Sequence, residues 1–531
     1  MIRSGRWTAW ALPALCLVAP MTAIGIEAFR EGRSIETLLD PAIHGLLVNT
    51  LALAALATLF AVVFGFPLGF AIGAYAFPLR SFVVAAAFVP LLVPHHIHTI
   101  GWMRWIGRQG WITTRLAEDG IALDVRAAWI PYVWPGPAWI LAMALFPLVA
   151  LPVADALRRI DRESAAAARI AGGTRAALTA VYLPAAKAVL PGAAALVFAL
   201  AAGAYAVPSL LDTPVLVQRL FFTFSQRSQG EGALLALPLF VSAAVAASLL
   251  GDPSWRRGTL GGAAKAARLP GGPWMTCAAL VPVLLGVGVP MAGLIGKLVE
   301  ESRRTGEGLA AFQLVWARTA ASFGNGLLFA TLAGLVLLVA AWPLARRFAA
   351  RPGGASERGL TALIAMPPVL LGVGTILFWK ETDGVPVIGG LYRDGLILVV
   401  LALAGRFLPI VVRVLRDGFL GLDPSAEEAA RLAGASSAKR FRMISLPMMA
   451  STLGVAWTAA MTLALVELDT TLLTYPPGME TVQVRIFNMV HYARDAEVSA
   501  LCLLATALGL LPVVIHALIT SGEEERHGHG A

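Results

Sequence analysis

Residues 422–434 read LDPSAEEAARLAG, and residues 160–172 read IDRESAAAARIAG. Each stretch is followed by a Leu-Pro pair, at residues 446–447 in one case and 183–184 in the other. Both are polar, Arg-bearing interruptions of an apolar chain. The same polar loop therefore occurs twice, which indicates that the chain contains two copies of one unit.

Further landmarks repeat in the same order, offset by about 260–280 residues, as expected for a tandem duplication. The matching pairs are Asn49 and Pro67-Leu68 with Asn325 and Pro343-Leu344, Pro94 with Pro368, and Arg219-Leu220-Phe221 with Arg485-Ile486-Phe487.

The composition is that of a membrane protein, because 58% of the residues are hydrophobic, 14% are charged and the mean hydropathy is +0.75. Soluble domains contain about 25% charged residues. Runs long enough to span a bilayer predict an all-α polytopic membrane protein with about 12 transmembrane helices, arranged as two tandem parallel six-helix repeats. The predicted spans are 8–28, 47–76, 81–106, 134–157, 187–208, 231–250, 274–298, 325–347, 359–380, 395–416, 449–468 and 496–520.

The chain divides into a first half over 1–250, a linker over 251–273, a second half over 274–521 and a disordered tail over 522–531. Lys and Arg are more frequent in the loops that face the cytoplasm when both termini are placed inside. This orientation puts the two repeated loops, 158–185 and 419–447, on the cytoplasmic side.

Several functional classes are disfavoured. The net charge of +9 is spread along membrane edges rather than gathered in one patch, so nucleic-acid binding is not expected. The nearest match to a phosphate-binding loop, residues 293–298, is too short and lies in an apolar run. Neither catalytic residues nor a cofactor are expected, and any ATP hydrolysis would belong to a separate subunit.

The second repeated loop predicts a short helix followed by a sharp turn. Ser425 opens the helix with Glu427 and Glu428 in its first turn, where carboxylates interact favourably with the helix dipole. Gly434 can adopt the left-handed conformation that ends a helix. The result is an elbow that projects from the membrane and can contact another protein.

This pattern resembles the cytoplasmic EAA loop of binding-protein-dependent ABC importer permeases. The resemblance implies a type I importer fold, with each loop forming a coupling helix that docks onto an ATP-binding subunit. The first copy has Ala166 where Glu is expected and one residue fewer before its Leu-Pro pair. The implied docking residues are Glu428, Ala429, Ala430, Arg431 and Gly434 in the second loop, and Ala167, Ala168, Arg169 and Gly172 in the first.

The resemblance spans nearly the whole chain and is similar to fused, double-length iron(III)-type permeases, through residues 466–492 in particular. Thiamine, polyamine and phosphonate permeases are related alternatives. It implies two copies of a cytosolic ATPase, a periplasmic or lipid-anchored solute-binding protein, membrane lipid as surroundings and a multi-pass location in the cell inner membrane.

Glu467 and Asp469 lie near the outer end of a predicted span, and carboxylates at membrane depth are candidates for function. They either line a solute path, with Tyr205 as first-half counterpart, or reach interfacial water. As hard oxygen donors they would suit iron(III).

His95, His96 and His98 could ligate a metal. However, the positions assigned as their counterparts are Val369, Leu370 and Gly372, which favours packing or interfacial histidines and no resident metal.

A function from another class stays open. A secondary transporter with two parallel six-helix halves would share this symmetry. It would not need two protein-docking elbows and would be expected to carry ionisable residues in mid-membrane.

Overall fold

In the computed structural model, the described residues are almost entirely helical. The described residues are 10–30, 40–107, 110–119, 135–225, 229–250, 268–306, 310–381, 389–390, 395–423 and 425–528. The predicted all-α polytopic membrane fold is confirmed.

The first half consists of long apolar helices with short helices between them. They are α1 (Ala19–Arg30, after a π-helical turn Ala14–Val18), α2 (Pro41–Ala74), α3 (Arg80–Leu92), α4 (His95–Ile106), α5 (Trp111–Glu118), α6 (Pro135–Leu145), α7 (Pro147–Arg158), α8 (Arg162–Ala177, then π-helical Leu178–Tyr182), α9 (Leu183–Ala202), α10 (Ala206–Leu210), α11 (Leu216–Ser225) and α12 (Gln229–Leu250).

The second half repeats this order. Its helices are α13 (Pro273–Val283, then π-helical Leu284–Gly288), α14 (Val289–Thr305), α15 (Ala310–Ala350), α16 (Ala355–Ala362, then 3-10 helical Leu363–Ala365), α17 (Pro368–Lys380), α18 (Leu396–Leu420), α19 (Ser425–Leu432), α20 (Ser437–Arg440, then π-helical Phe441–Ser445), α21 (Leu446–Met448), α22 (Ala450–Val466), α23 (Thr471–Thr474), α24 (Val482–Met489) and α25 (Asp495–Gly528).

Within the described ranges, eight helices are long and apolar enough to cross a membrane, and three bent helix pairs raise that number to 11. The bends are 97° between α3 and α4, 107° between α16 and α17, and 72° between the α20–α21 segment and α22. Together with the shorter apolar helix Glu231–Val245, these segments coincide with all the predicted spans.

The repeat is visible in matched hydrogen bonds. Asn49 in α2 donates its side-chain N–H to the carbonyl of Pro214, at 3.2 Å, just before α11. Asn325 in α15 donates in the same way to the carbonyl of Glu480, also at 3.2 Å, just before α24. The matched asparagines therefore hold equivalent loops.

The structure corrects one register of the sequence alignment. Pro94 caps α4 and Pro367 caps α17 with nearly the same backbone angles, φ −56° and ψ 138° against φ −57° and ψ 130°. Pro94 is therefore equivalent to Pro367 rather than to Pro368. The counterparts of the three histidines move by one residue accordingly and remain without a metal-ligating side chain.

The first helix of each half packs against the other half, and we call α1 and α14 the lent helices. Helix α1 packs on α17, and α14 packs on α4. Both contacts are close: a Cβ on Gly374 would lie 2.4 Å from the carbonyl oxygen of Pro20, and one on Gly101 would lie 2.4 Å from that of Pro290. The division into halves along the sequence thus differs from the packing units in space.

The linker and the tail fall partly within the described residues. Leu269–Pro270 (β2) pairs in parallel with Tyr75–Ala76 (β1), so the end of the linker lies against the first half. Residues 251–267 lie outside the described residues. The tail was expected to be disordered from residue 522, but α25 continues to Gly528, and residues 529–531 lie outside the description.

The close approach between the halves can be tested at Gly405. A Cβ at this position would lie 2.2 Å from the carbonyl oxygen of Cys16, in the π-helical turn before α1. We expect Gly405→Ala to destabilise the full chain by about 1–3 kcal/mol through overpacking, measured by thermal unfolding in detergent. The control is Gly324→Ala in α15, where a Cβ meets nothing within 4 Å. Equal unfolding temperatures for the two variants would contradict this packing.

Candidate functional site

The second elbow has the predicted helix-turn geometry. Helix α19 ends at Leu432, and Gly434 follows with φ +78°, so the predicted left-handed glycine is confirmed. The Ala435 N–H donates to the carbonyl of Ala430 at 3.0 Å, which closes the turn. Before the helix, hydrogen bonds from the Ser425 backbone N–H and hydroxyl lower the pKa of the exposed Asp423 carboxyl.

The first elbow reaches a similar shape by a different route. Asp161 accepts a hydrogen bond from the Ser164 N–H at 3.3 Å and caps α8. The helix breaks at Gly172 and Gly173, and the left-handed residue is Gly173, with φ +71°. Gly172 is extended, with φ −165°. Gly172 was expected to match Gly434, so the turn lies one residue later than the sequence alignment placed it.

The two elbows are attached to the membrane helices by different forces. In the second, the Glu427 carboxylate pairs with Arg346 of α15 and lies 3.9 Å from the Arg440 guanidinium. At the equivalent positions of the first elbow, Ala165 is buried and Phe70 packs on the same apolar cluster. An ionic attachment in one half therefore replaces an apolar attachment in the other.

Both elbows present one large apolar side chain to the outside. Ile170 is 89% exposed and Leu432 is 85% exposed. Each stands two residues before the glycine of the repeated motif, at Gly172 and Gly434. A large exposed apolar residue at the same place in both copies marks a surface that suits a protein partner.

The other residues predicted for docking lie on the same projecting surface. Those that are exposed or half-buried and accessible to a partner are Glu428, Ala429, Ala430, Arg431 and Gly434 in the second elbow, and Ala167, Ala168, Arg169 and Gly172 in the first.

A second candidate site lies between the two halves. None of the residues that line it belongs to either elbow. A cavity of about 90 Å³ is lined by His95 and His96 of the first half and by Arg406, Glu467 and Asp469 of the second. The structure thus brings the predicted pathway carboxylates and two of the three histidines together. Both carboxylate side chains are half-buried.

The carboxylates also order the loop that carries them. Asp469 accepts a hydrogen bond from the Tyr205 backbone N–H at 3.1 Å, which joins the two halves across the cavity. Glu467 accepts from the Thr470 N–H at 3.0 Å and from its hydroxyl at 2.9 Å. Tyr205, predicted as a pathway residue, therefore reaches this site through its backbone.

The Tyr205 ring belongs to an aromatic cluster beside the cavity. It stacks on Phe221, with ring centroids 4.7 Å apart, and its centroid is 6.0 Å from that of Phe487. Phe221 and Phe487 are equivalent residues of the two halves, so the tyrosine packs between matched aromatic side chains.

Arg406 is a site residue that sequence reasoning missed. Its Nη1 donates to the carbonyl of Met366 at 2.6 Å and to that of Ile364 at 3.3 Å, at the break between α16 and α17. The equivalent break in the first half is served by His98, whose Nε2 lies 3.1 Å from the carbonyl oxygen of Pro90. The signal was present in the sequence, because an arginine in the middle of the predicted span 395–416 is an intramembrane charge.

The three histidines differ in burial, and His95 is the exposed one. His96 and His98 are buried, and His98 is engaged with the broken helix. No group of three or more His, Cys, Asp or Glu side chains in the described parts of the chain could hold a metal ion. His98 is therefore a packing histidine, which is one of the two alternatives that the sequence left open.

A larger cavity, about 840 Å³, lies nearer the elbows. Its charged lining comes from both halves and includes Asp155, Arg158 and Arg159 just before the first elbow, and Arg413 and Asp417 just before the second. Asp155 and Asp417 are equivalent in the repeat. The molecule therefore holds a wide space on the elbow side of the small central cavity.

Comparison with known proteins yields permease proteins of transport systems among its matches. No family model matches the chain. A probable ABC transporter permease protein, y4fN of Sinorhizobium fredii, is 28% identical over 484 residues, covering 84% of this chain and 82% of the relative. The thiamine transport system permease protein ThiP of Brucella abortus is 25% identical over 520 residues, covering 93% and 91%.

The chain is similar over most of its length to permease proteins of ABC transporters. A shorter relative, the putrescine transport system permease protein PotI of Escherichia coli, is 29% identical over 198 residues, covering 37% of this permease and 70% of the relative. Such a match is shorter than either half, whereas the two full-length relatives include both. These relatives confirm the predicted resemblance to ABC importer permeases, and the apolar helices confirm a multi-pass membrane protein.

The structural role of Arg406 in the permease can be tested by Arg406→Met. We expect a loss of roughly 1–3 kcal/mol for each carbonyl left without its donor, at Ile364 and Met366. Thermal unfolding in detergent measures it, and Arg358→Met, at an exposed position of α16, is the control. A variant as stable as the control would show that the broken helix does not need this guanidinium.

Proposed function

We propose that this permease is the membrane subunit of an importer that moves a small organic cation into the cytoplasm. An extracytoplasmic binding protein, periplasmic or lipid-anchored, delivers the solute, and two copies of a separate cytosolic ATPase drive transport from the elbows. The chain sits in the cell inner membrane with both termini in the cytoplasm.

The observation that carries docking is the matched exposure of Ile170 and Leu432. Burial of a large apolar side chain in a pocket of a partner is typical of residues that dominate binding energy. Glu428, Ala429, Ala430, Arg431 and Gly434 surround Leu432, and the first elbow offers Ala167, Ala168, Arg169 and Gly172 around Ile170. Two elbows suit two ATPase copies.

The two elbows differ in charge, so the two docked ATPases meet unlike surfaces. The second elbow offers Glu428, which is exposed, whereas Ala166 stands at the equivalent place in the first. Loss of the second elbow should therefore weaken ATPase binding more than loss of the first.

The charge of the central cavity supports a cationic solute. Its lining has two carboxyl groups, Glu467 and Asp469, against one guanidinium. Arg406 already donates hydrogen bonds to two backbone carbonyls. The two carboxylates therefore offer a solute more hydrogen-bonding positions than the guanidinium does. Two of the relatives named above are named for thiamine and putrescine, both of which are cations.

Iron(III), suggested by residues 466–492, is the second candidate. The observation in its favour is the pair of hard oxygen donors, Glu467 and Asp469, at one cavity. None of the relatives reported above is named for iron, and among the described residues this pair does not join a group of three or more His, Cys, Asp or Glu side chains that could hold a metal ion. The organic cation therefore comes first.

Docking is tested by Leu432→Glu, by Ile170→Glu, and by Glu428→Lys combined with Gly434→Trp, which forces a bulky residue into a left-handed backbone position. We expect each change at the second elbow to weaken ATPase association roughly tenfold or more, and Ile170→Glu to have a smaller effect. The measurement is the amount of ABC ATPase that co-purifies with the permease from its native membranes.

Leu79→Glu is the matched control for docking, because Leu79 is also an exposed leucine, on the same predicted side of the membrane but outside the elbows. Full ATPase recovery with the elbow variants would refute the docking proposal.

Solute choice is tested by uptake of labelled putrescine, thiamine and iron(III) in cells with and without the permease. We expect uptake of an organic cation to need the permease and ATP, and to survive collapse of ion gradients by an ionophore. Glu467→Gln and Asp469→Asn should slow that uptake about tenfold without loss of ATPase association. Glu118→Gln, at an exposed carboxylate of α5, is the control.

Permease-dependent uptake of iron(III) alone would reverse the order of the two solutes. Uptake that collapses with the ion gradient while ATP is present would count instead for the secondary-transporter mechanism.

A further inference from the structure

The first helices of the two halves could pack in two ways, each on the other half (crossed) or each on its own half (uncrossed). Helices α1 and α14 are equivalent, and so are the helices that receive them, α17 and α4. Because the halves are repeats of one unit, α1 could in principle pack on α4 of its own half, and α14 on α17. The structure shows the crossed arrangement in both cases.

The first difference between crossed and uncrossed packing is steric. In the α1 contact the glycine is on the receiving half, since Gly405 lies against the carbonyl of Cys16. In the equivalent α14 contact the glycine is on the lent segment, since a Cβ on Gly286 would lie 2.8 Å from the carbonyl of Met143. Gly405 is equivalent to Met143, and Cys16 to Gly286.

Uncrossed packing would therefore mismatch both contacts. Cys16 would meet Met143, which has the Cβ that the Gly405 position cannot hold at this distance. Gly286 would meet Gly405, leaving a gap between two residues without side chains. Crossed packing gives each contact one glycine and one larger residue, which suits close packing.

The second difference is electrostatic. Arg30, ten residues after Pro20, pairs with Glu381 beyond α17 at 3.0 Å. Glu300, at the same distance after Pro290, pairs with Arg104 of α4 at 2.7 Å. The charges at these equivalent positions are opposite in sign.

Uncrossed packing would bring like charges to the same end of the helix pair. Arg30 would lie at the end of α4 that carries Arg104, and Glu300 would lie at the end of α17 that carries Glu381. Each ion pair is partly exposed and contributes little stability by itself. The difference in free energy between crossed and uncrossed packing is larger than this contribution, because attraction in one arrangement becomes repulsion in the other.

The third difference is a hydrogen bond. Trp105 of α4 donates its indole N–H to the carbonyl of Val289 at 2.8 Å. The equivalent carbonyl in the other lent helix, at Ala19, accepts from the hydroxyl of its own Thr22 at 2.9 Å. The residue equivalent to Trp105 is Phe378, which has no donor, so each receiving helix matches the helix it holds.

We propose that these three complementary features direct each lent helix to the opposite half, so that the two halves associate with each other and exclude a second copy of themselves. The surface concerned is formed by α1 and the turn before it with α17 and α18, and by α14 and the turn before it with α4 and α6. Its partner is the unlike half of the same chain. The proposal is independent of the solute and of the ATPase.

The test uses the full chain with Cys16, Cys277 and Cys502 replaced by alanine and spin labels at two exposed sites, Ile26 in α1 and Leu335 in α15. Pulsed electron paramagnetic resonance then measures the distance between the label in α1 and the label in the second half. The unmodified charges should give one distance, that of the crossed arrangement.

Exchange of the charges on the lent helices alone, by Arg30→Glu with Glu300→Arg, should reduce the population at that distance about twofold or more. Further exchange on the receiving side, by Arg104→Glu with Glu381→Arg, should restore most of it. Glu27 and Arg304, the partners of Arg30 and Glu300 within the same helices, keep their charges and limit the recovery. All these variants have the same net charge. Arg115→Glu with Glu118→Arg, an ion pair within α5, is the control and should change nothing.

Two outcomes would overturn the proposal. One is an unchanged distance distribution after exchange on the lent helices. The other is a fourfold variant that regains none of the lost population, since the first loss would then be general damage rather than mismatched pairing.

Discussion

A backbone carbonyl that loses its helical hydrogen bond inside a membrane has no water from which to accept another. This happens twice in the protein, at the bend between α3 and α4 and at the bend between α16 and α17. The first half places His98 at its break and the second half places Arg406. The arginine brings a positive charge to the centre of the protein, and two carboxylates gather beside it. The polar cavity thus depends on how a broken helix is satisfied.

The exchange of first helices joins this centre to the rest of the molecule. Because α1 and α14 each pack across the divide, neither half can move without displacing a helix held by the other. The bond from Tyr205 to Asp469 crosses the same divide. If a partner moves the elbows, as proposed above, we expect close packing to carry that motion to the cavity, since tightly packed helices move as units rather than deform.

Much of the architecture could be read from local sequence. The spans follow from apolar runs, and the second elbow follows from a capped acidic helix and Gly434, because these signals act within a few residues. The register at Pro367, the turn at Gly173 and the helical residues 522–528 could not be read in this way. Each depends on a choice between adjacent residues or on fine differences in helix propensity, which sequence pattern resolves poorly.

The sequence by itself determined a duplicated all-helical membrane protein with two projecting loops, because hydrophobicity and repetition are properties of the chain alone. Only the tertiary structure decided that Arg406, His96, Glu467 and Asp469 share one cavity. It also decided that each half receives the other's first helix. These facts join residues hundreds of positions apart, and such contacts are set by packing and by the need to pair buried polar groups, neither of which has a local signature.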